Sequence, residues 1–444
     1  MSEITNCATS DLDFFSPPLY QNMIEKSITT YHAADLKEDR IVNIQVAKSE
    51  QFIDLCKTEL YVQLKIFKTP TDGSTTEAAL TATSDTQITV VNNLLSSLFK
   101  QVDLCLNNSM VESKLNYGQL AYMRDLLNFS VEKKNSALQS QGWFTDTFGQ
   151  MDNIVIVGTG ENGTAGANQK FNEGAVRRRL LLNNGTIDLQ GPLHLDFFNN
   201  GKFLVDGIDL SLKLTMADEA FFLLGIPGYS ARIIKAGLFL KKIFPNPSVI
   251  NSMNQMLSKK PISYSVNSSK LFTKKLETGG FTEELILCTG KVPKTLIIAL
   301  GDHQSAITGN IAKNPFNYHH YKLTDVRLTV AGVPIPYAAP LKFNFEKDEY
   351  LSGYRTLDHA NKSIFGNGIT RAEYKAGFML IIFDLTSNGE CDSYREIDKS
   401  GEVVIHLTFA ETTNNKLALI CYTEQNETIE FDSFRNVINL AVKK

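Results

Sequence analysis

The stretch "GIDLSLKLTM", residues 207–216, indicates the fold class of this chain. Apolar residues occupy every second position, and because successive side chains of a β-strand point to opposite faces, one face of the segment is apolar throughout. The stretch "LYVQLKI", residues 60–66, repeats the pattern. Both predict half-buried antiparallel strands, with inward residues Ile208, Leu210, Leu212, Leu214 and Met216 in one and Leu60, Val62, Leu64 and Ile66 in the other.

Further strands with the same alternation follow along the chain, separated by clusters of Asn, Gly, Pro and Ser. Helical signals are fewer. An apolar stripe marks residues 117–127, a cap at Asn246 with Pro247 marks residues 247–258, and Thr370 with Glu373 forms a capping-box pattern. The sequence therefore predicts a mainly all-β protein with short helical insertions. The additional strands are "QVDLCL" (101–106), "DVRLTV" (325–330), "EVVIHLTF" (402–409) and "LALICYT" (417–423).

The two halves of the chain share a weak internal repeat. The alternating residues of the strand at 102–106 match those at 326–330 with an offset of 224 (326 − 102), and those at 208–214 match 403–409 with an offset of 195 (403 − 208). A turn-rich seam, "GIPGYSA" at 225–231, lies between the halves. We therefore expect two β-sandwiches, one at residues 39–227 and one at residues 228–444.

Residues 1–38 are expected to form an N-terminal arm outside the first sandwich. The segment shows no sustained alternation, and Pro17 and Pro18 cannot donate the hydrogen bonds that a central strand needs. An aromatic and apolar cluster nearby is expected to dock on a neighbouring chain or partner, and consists of Phe14, Phe15, Leu19 and Tyr20.

Composition and charge exclude several classes of function. The chain has 444 residues, 43% of them hydrophobic, and a formal net charge of -4, so bulk charge does not favour a nucleic-acid backbone or an anionic membrane as the main ligand. The six cysteines are widely spaced and form no C-x-x-C pair, which favours a reducing compartment over a zinc site or a disulfide framework. No signal-peptide pattern or membrane-length apolar run is present, so we expect a soluble protein made in the cytosol.

A glycine-rich stretch, "IVIVGTGENG" at 154–163, matches the spacing G-x-G-x-x-G through Gly158, Gly160 and Gly163. A dinucleotide site needs these glycines to open a helix whose N-terminal amides hold the pyrophosphate. The following residues, "TAGANQKFNEG", have no apolar stripe and predict no helix. We therefore interpret the stretch as a surface insertion and expect no NAD or other cofactor, which leaves a nucleotide-dependent oxidoreductase only a distant alternative.

Histidines and acidic residues raise the question of a metal or catalytic site. His194 and Asp196 would share a strand face, but no third ligand is predictable, and a hydrogen-bonded strand histidine is the preferred interpretation. His319 and His320 would point to opposite sides of an extended segment. Acidic neighbours such as Glu283 and Glu284 are not the opposed carboxylates of a hydrolase. The sequence predicts no catalytic, cofactor-binding or metal-binding residues.

Arg177, Arg178 and Arg179 form the only run of three basic residues. They could contact packaged nucleic acid or form a salt bridge between subunits. A solvated strand edge, where charge deters unwanted pairing, is the preferred interpretation, since "VRRRLLLNNGTIDL" has the pattern of an antiparallel strand and a turn.

Longer stretches, taken in order, resemble one family over nearly the whole chain. They are "IDLCKTELYVQLKIF" (53–67), "VVNNLLSSLFKQVDLCLNNSMVES" (90–113), "YGQLAYMRDLLNFS" (117–130), "GWFTDTFGQMD" (142–152), "GPLHLDFFNNGKFLVDGIDLSLKL" (191–214), "KNPFNYHHYKLTDVRLTVAGVPIP" (313–336), "GNGITRAEYKAGFMLIIFDLT" (366–386) and "FRNVI" (434–438). The chain resembles the major capsid (hexon-like) proteins of Polinton/Maverick elements and their adintovirus relatives.

The resemblance implies a double jelly roll, which is two eight-stranded β-sandwiches in one chain, and a non-enzymatic structural role. Three chains would form a pseudo-hexagonal capsomer of an icosahedral virion. The implied partners are further copies of the chain as a homotrimer, penton and minor capsid proteins, and packaged DNA on the inner face, with no small-molecule substrate. The implied location is the virion capsid, after synthesis in the host cytoplasm and with assembly in the nucleus as one option. A two-sandwich carbohydrate-binding or adhesion protein is the alternative, since jelly rolls also form lectins.

Overall fold

The structure, a computed structural model, describes residues 24–36, 40–69, 80, 87–155, 171–182, 185–276, 280–360, 366–386, 399–412 and 417–439. The aromatic cluster at 14–20 and the three glycines of the G-x-G-x-x-G match lie outside the described residues. No helix in the described ranges is long and apolar enough to cross a membrane.

In its described residues, the first half of the chain contains ten strands. Eight of them form two four-stranded antiparallel sheets, with the orders β1-β10-β3-β7 and β2-β8-β5-β6, and the short strands β4 and β9 pair with each other. The strands are β1 (Ile24–Ala33), β2 (Ile41–Val46), β3 (Phe52–Lys68), β4 (Ile88–Val90), β5 (Phe99–Leu106), β6 (Ser109–Leu115), β7 (Thr186–Pro192), β8 (Leu210–Met216), β9 (Leu223–Gly225) and β10 (Tyr229–Pro245).

The second half repeats this arrangement, with the sheets β11-β19-β13-β17 and β12-β18-β14-β15. Strand β20 adds to β19, and β16 adds to β14. The strands are β11 (Ile262–Lys275), β12 (Thr282–Lys291), β13 (Thr295–Asp302), β14 (Leu323–Val330), β15 (Val333–Pro334), β16 (Leu341–Lys342), β17 (Leu380–Asp384), β18 (Ser400–Phe409), β19 (Leu417–Phe431) and β20 (Val437–Asn439).

Both sandwiches have the same topology. If the eight main strands of each are numbered in chain order, one sheet has the order 1-8-3-6 and the other 2-7-4-5 in both halves. Two four-stranded sheets that exchange strands in this way form a jelly roll, and the chain is therefore a double jelly roll. The predicted mainly all-β fold is confirmed.

The internal repeat seen in the sequence pairs equivalent strands of the two jelly rolls. The match with an offset of 224 joins β5 and β14, which are the fourth strands, and the match with an offset of 195 joins β8 and β18, which are the seventh strands. The alternating apolar residues of these strands are buried in both halves. The repeat therefore reflects a duplicated architecture, since equivalent strands bury the same face.

Strand pairing differs from the expected limits of the domains. Strand β10 lies beyond the expected boundary at residue 227, but it pairs with β3 from Tyr229↔Lys68 to Ile243↔Phe52 and supplies the eighth strand of the first sandwich. Strand β1 lies within the expected arm 1–38, but it pairs with β10 and supplies the first strand. Hydrogen bonding between strands, which the turn-rich sequence does not reveal, places both inside the first sandwich.

The predicted helices are present. Helix α2 (Tyr117–Asn128) is almost wholly buried, and α5 (Pro247–Leu257) begins at Asn246, whose side chain accepts a hydrogen bond from the Ser248 amide at 3.0 Å. The capping box of Thr370 and Glu373 opens α8. The other α-helices are α1 (Leu94–Ser97), α3 (Val131–Lys134), α4 (Glu219–Phe222), α6 (His303–Ile307), α7 (Leu351–Arg355) and α8 itself (Arg371–Lys375). Short 3-10 helices cover Ala137–Gln141, Glu173–Leu182, Phe197–Asn199 and Thr356–Ala360.

Candidate functional site: the junction between the two sandwiches

A buried ionic cluster joins the two sandwiches. The Asp196 carboxylate, whose side chain is 2% exposed, contacts the Lys114 ammonium from β6 and the Arg124 guanidinium from α2. It also accepts a 3.0 Å hydrogen bond from the Ser269 hydroxyl on β11. Because Asp196 belongs to the first sandwich and Ser269 to the second, the cluster fixes one jelly roll against the other.

A second carboxylate, Glu112, completes the cluster. It accepts hydrogen bonds from the backbone amides of Asp196 at 2.7 Å and Phe197 at 3.0 Å, and one of its oxygens lies 3.2 Å from the Lys114 ammonium. Burial raises the pKa of Glu112, and Lys114 only partly opposes this effect. Burial would also raise the pKa of Asp196, but Arg124 and Lys114 hold that pKa below its usual value. The two cations therefore favour the charged form of Asp196, whereas burial disfavours the charged form of Glu112.

Arg124 reaches across the junction to the second sandwich. Its Nε donates to the Tyr422 hydroxyl on β19 at 3.0 Å, and its Nη1 donates to the His194 carbonyl oxygen at 3.1 Å. Sequence reasoning did not identify this cluster. The signal that could have found it is the pair Glu112 and Lys114, two opposite charges two positions apart along the chain, which lie on β6 and are both buried.

An aromatic stack forms the second part of the junction. The Tyr122 ring on α2 lies between the rings of Trp143 and Phe316, with centroids 5.2 Å and 4.0 Å away. Gln119, one turn earlier on α2, donates to the Pro315 carbonyl oxygen at 2.8 Å and accepts from the Tyr318 hydroxyl at 2.7 Å. The segment between β13 and β14 of the second sandwich therefore packs on a helix of the first.

The structure corrects the interpretation of the three arginines as a solvated strand edge. They lie in the 3-10 helix Glu173–Leu182, and Arg177 is fully buried. Its guanidinium donates to the Asp146 carboxylate at 2.7 Å and to the carbonyl oxygens of Val90 at 2.8 Å and Phe144 at 2.5 Å. A run of like charges in a sequence suggests side chains that are exposed to solvent. Here the three acceptors around the Arg177 guanidinium compensate for the cost of burying its charge.

The structure places both histidine pairs differently from the expectation. His194 and Asp196 follow β7 outside any strand, so they do not share a strand face, and His194 Nε2 lies 3.2 Å from Asp125 Oδ2. His319 and His320 do not point to opposite sides, because the chain turns at this point and their ring centroids are 4.2 Å apart. Within the described ranges, no group of three or more His, Cys, Asp or Glu residues could hold a metal ion.

The buried Lys134 makes the free energy of unfolding depend on pH. Its buried ammonium donates to the carbonyl oxygens of Leu126 and Asn367, each at 2.6 Å, and burial lowers its pKa to about 8 from 10.5. Between these values the unfolded chain binds the proton and the folded chain does not, so this residue makes stability rise with pH.

We expect Lys134→Met to remove up to about 3 kcal/mol of this rise between pH 8 and 10.5, as measured by urea unfolding at several pH values. The exposed neighbour Lys133 is the matched control, and Lys133→Met should leave the pH dependence unchanged. Parallel profiles for the wild-type and Lys134→Met proteins would contradict the prediction.

Each sandwich has a recess where its fourth strand begins and its seventh strand ends. We call the recess of the first sandwich, lined by Phe99 and Lys100 of β5 with Ala217, the first recess. Ala306 and Ile307 at the end of α6 also line it, and a volume of about 30 Å³ remains. A short helix of the second sandwich thus nearly fills the recess of the first.

The corresponding recess of the second sandwich, here the second recess, is open. It is lined by Leu323 and Thr324 of β14, which correspond to Phe99 and Lys100 at the offset of 224, together with Phe343, Phe345 and Ala410. All of its lining residues belong to the second sandwich, and its volume is about 440 Å³. Within the described part of the chain, no counterpart of α6 lines it.

Comparison with known proteins gives no matching family model. An uncharacterized protein of Caenorhabditis elegans is 23% identical over 404 residues, which cover 88% of this chain and 90% of the relative. This relative is similar along nearly its whole length.

Solved structures from several viruses have a similar fold. A chain from the structure of the Sputnik virophage matches with a TM-score of 0.62 at 10% identity, covering 98% of this chain and 92% of that chain. The Faustovirus major capsid protein matches with a TM-score of 0.55 at 10% identity, covering 93% and 92%. The mavirus major capsid protein matches with a TM-score of 0.53 at 7% identity, covering 100% and 95%. At these identities the likeness shows the double-jelly-roll fold.

Proposed function

We propose that this chain is a hexon-like major capsid protein, whose trimers form pseudo-hexagonal capsomers of an icosahedral virion. The observation that carries the proposal is the shared topology of the two sandwiches, which matches viral major capsid proteins along nearly the full length of both chains. A shell protein needs large rigid sandwiches and extended contact surfaces, and it needs no catalytic residues. The proposed role is therefore structural and not enzymatic.

We also propose a narrower assignment, to the capsid proteins of Polinton/Maverick elements and adintoviruses. The stretches quoted from the sequence support it, and a similar protein in a nematode is compatible with an element integrated into an animal genome. Penton and minor capsid proteins and packaged DNA are the proposed partners. The proposed location is the capsid shell, after synthesis in the host cytoplasm.

An exposed strand supports association between copies of the chain. Strand β11, the first strand of the second sandwich, buries Tyr264, Val266, Ser269 and Leu271. Its equivalent in the first sandwich, β1, has no buried residue and exposes the apolar side chains of Ile24 and Ile28. Exposed apolar surface of this kind marks sites of protein contact. The contrast is expected if β1 is covered by another subunit.

We expect the purified protein to be a trimer of 3 × 49.5, or 148.5 kDa, because capsomer interfaces bury on the order of 2,000 Å² or more. Light scattering coupled to size-exclusion chromatography measures the mass. A strictly monomeric protein at micromolar concentration would count against the capsid proposal.

The carbohydrate-binding alternative makes a different prediction. A lectin of this fold would bind a glycan or calcium with saturation, whereas the capsid proposal expects neither. Titration of the trimer with calcium and with a panel of glycans separates the two functions.

A further inference from the structure

Two adjacent histidines hold a strained turn just before β14. Residues 319–322, here the histidine turn, contain Tyr321 and Lys322 in the left-handed conformation, with φ angles of 42° and 57°. Residues other than glycine rarely adopt such angles, so neighbouring groups must hold them there. The Tyr321 amide donates to Nδ1 of His319 at 3.2 Å, and the Lys322 amide donates to Nδ1 of His320 at 3.0 Å. The two imidazole rings therefore supply hydrogen bonds that fix the turn.

These hydrogen bonds require neutral histidines. A ring nitrogen that accepts a hydrogen bond carries no proton, so each neutral ring has its proton on Nε2. A second proton would be added to Nδ1 and would point at the amide hydrogen that this nitrogen accepts. The two ring centroids are also only 4.2 Å apart, so two charged rings would repel each other. Protonation of the rings therefore breaks the side-chain hydrogen bonds of the histidine turn.

The surroundings of His320 disfavour a positive charge. Its ring stacks on Phe345, with the centroids 4.0 Å apart, and lines the second recess. The charged side chains at this recess are Lys322 and Lys375 of its lining, their partners Glu411 and Asp348, and Glu346. Two cations thus lie beside the ring, and the three carboxylates are exposed to solvent. Burial, and to a smaller degree the neighbouring positive charges, lower the pKa of His320 to about 3.

His319 lines a different recess, together with Asp152. Burial lowers the pKa of His319, as it does that of its neighbour. Asp152 is the one residue with a carboxylate among those that line this recess. Burial raises the pKa of this carboxyl group, so it also binds a proton as the pH falls. Asp152 therefore gives little compensation for a charge on His319 in acid.

The histidine turn is directly continuous with the junction between the sandwiches. Tyr318, the residue before it, donates to Gln119 of α2 at 2.7 Å, and the ring of Phe316 stacks on Tyr122 of the same helix. On its other side, the Leu323 amide donates to the carbonyl oxygen of the second histidine at 2.9 Å, where β14 begins. The turn therefore sets the path of the segment that packs the second sandwich on α2.

We propose that the histidine turn is an acid-sensitive switch, which holds residues 316–323 on α2 at neutral pH and releases them when His319 and His320 bind protons. In the released segment each histidine has its ordinary pKa of 6.5, and in the packed segment its pKa is lower. Between these values the released form binds the proton and the packed form does not, so acid favours release. The switch acts within one chain and does not depend on the proposed capsid function.

Hydrogen exchange of the wild-type protein at about pH 8 and about pH 5 tests the switch. With pKa values of 6.5 and about 3, His320 alone favours release by about 30-fold more at the lower pH. Because its ring is only half-buried, solvent screens part of this effect. We expect the protection of the amides of residues 316–323, corrected for the pH dependence of free-amide exchange, to fall by about 10-fold. Unchanged protection would overturn the proposal.

The variant His319→Asn, His320→Asn removes the titrating groups and keeps the turn. An asparagine side-chain oxygen accepts a hydrogen bond from the amide two positions later and does not titrate. We expect equal protection of residues 316–323 at both pH values in this variant, and a smaller loss in His320→Asn alone than in the wild-type protein. The control is His303→Asn on α6, a half-buried histidine that lines neither recess, and it should behave as the wild-type protein does.

Trp143 reports whether the junction opens together with the turn. Its ring packs on Tyr122, the residue that Phe316 covers, so release of the segment should shift its emission to longer wavelength at about pH 5 in the wild-type protein only. An equal loss of protection in the wild-type protein and the double variant would assign the acid effect to carboxyl groups and overturn the switch. Loss of protection with unchanged Trp143 emission would show that the turn does not control the junction. If the double variant does not fold, His320→Asn alone decides, and a full wild-type loss in it overturns the proposal.

Discussion

Asp196→Ala is expected to lower the free energy of unfolding by roughly 3–5 kcal/mol, the usual cost of removing one partner from a buried ion pair. The side chains of Lys114 and Arg124 are only 4% and 11% exposed, so Arg124 would lose its carboxylate partner and Lys114 would keep only Glu112, and neither cation would gain water. Urea unfolding followed by the fluorescence of Trp143, the single tryptophan of the chain, measures the change. Trp143 packs against Tyr122 at the same junction, so its fluorescence reports on the unfolding of the junction.

Two further variants sharpen this test. Asp188→Ala removes an exposed carboxylate of β7 that accepts hydrogen bonds from the side chains of Tyr61 and Gln63. This substitution should lower the free energy of unfolding by less than about 1 kcal/mol. The quadruple variant Glu112→Gln, Lys114→Met, Arg124→Met, Asp196→Leu removes all four ionisable side chains of the cluster and should be much closer to the wild-type stability than Asp196→Ala. An Asp196→Ala protein as stable as Asp188→Ala would show that the buried charges do not hold the sandwiches together.

Deleting residues 2–34 is expected to prevent the formation of soluble trimers, because the deletion removes β1. This strand pairs with β10 from Ile24↔Pro245 to Ala33↔Gly237, and its loss should cost on the order of 5 kcal/mol in hydrogen bonds alone. It also removes Tyr31, whose ring packs against Tyr61 and Phe239, and it exposes the edge of β10 to aggregation. Soluble expression and circular dichroism measure the effect.

Deletion of residues 2–23 is the matched control, since it keeps all of β1. We expect this shorter deletion to leave trimers with nearly unchanged melting, and to reduce the formation of shells under conditions in which the full chain assembles. Equal stability and equal trimer formation for the two truncated proteins would show that β1 is not an essential strand of the sandwich.

The sequence by itself determined the local features of this fold. The inward faces of β3 and β8 and the starts of helices α5 and α8 follow from residues that are neighbours along the chain. A strand alternates its side chains with a period of two whatever its partner is, and a capping residue acts on the amides of the next turn. The repeat between the halves was legible for the same reason, because equivalent strands keep the same alternation.

The tertiary structure alone decided which distant segments meet. The alternation of apolar and polar residues does not reveal that β10 pairs with β3. For this reason the expected boundary at residue 227 separated two neighbouring strands. Likewise, the charges of Lys114 and Asp196 are 82 positions apart, and nothing local marks them as partners. A run of arginines suggests side chains that are exposed to solvent. The burial of Arg177 is favourable because the fold places three hydrogen-bond acceptors around its guanidinium. Such contacts depend on the arrangement of whole strands, because the energy of a buried charge is set by the groups that surround it in space.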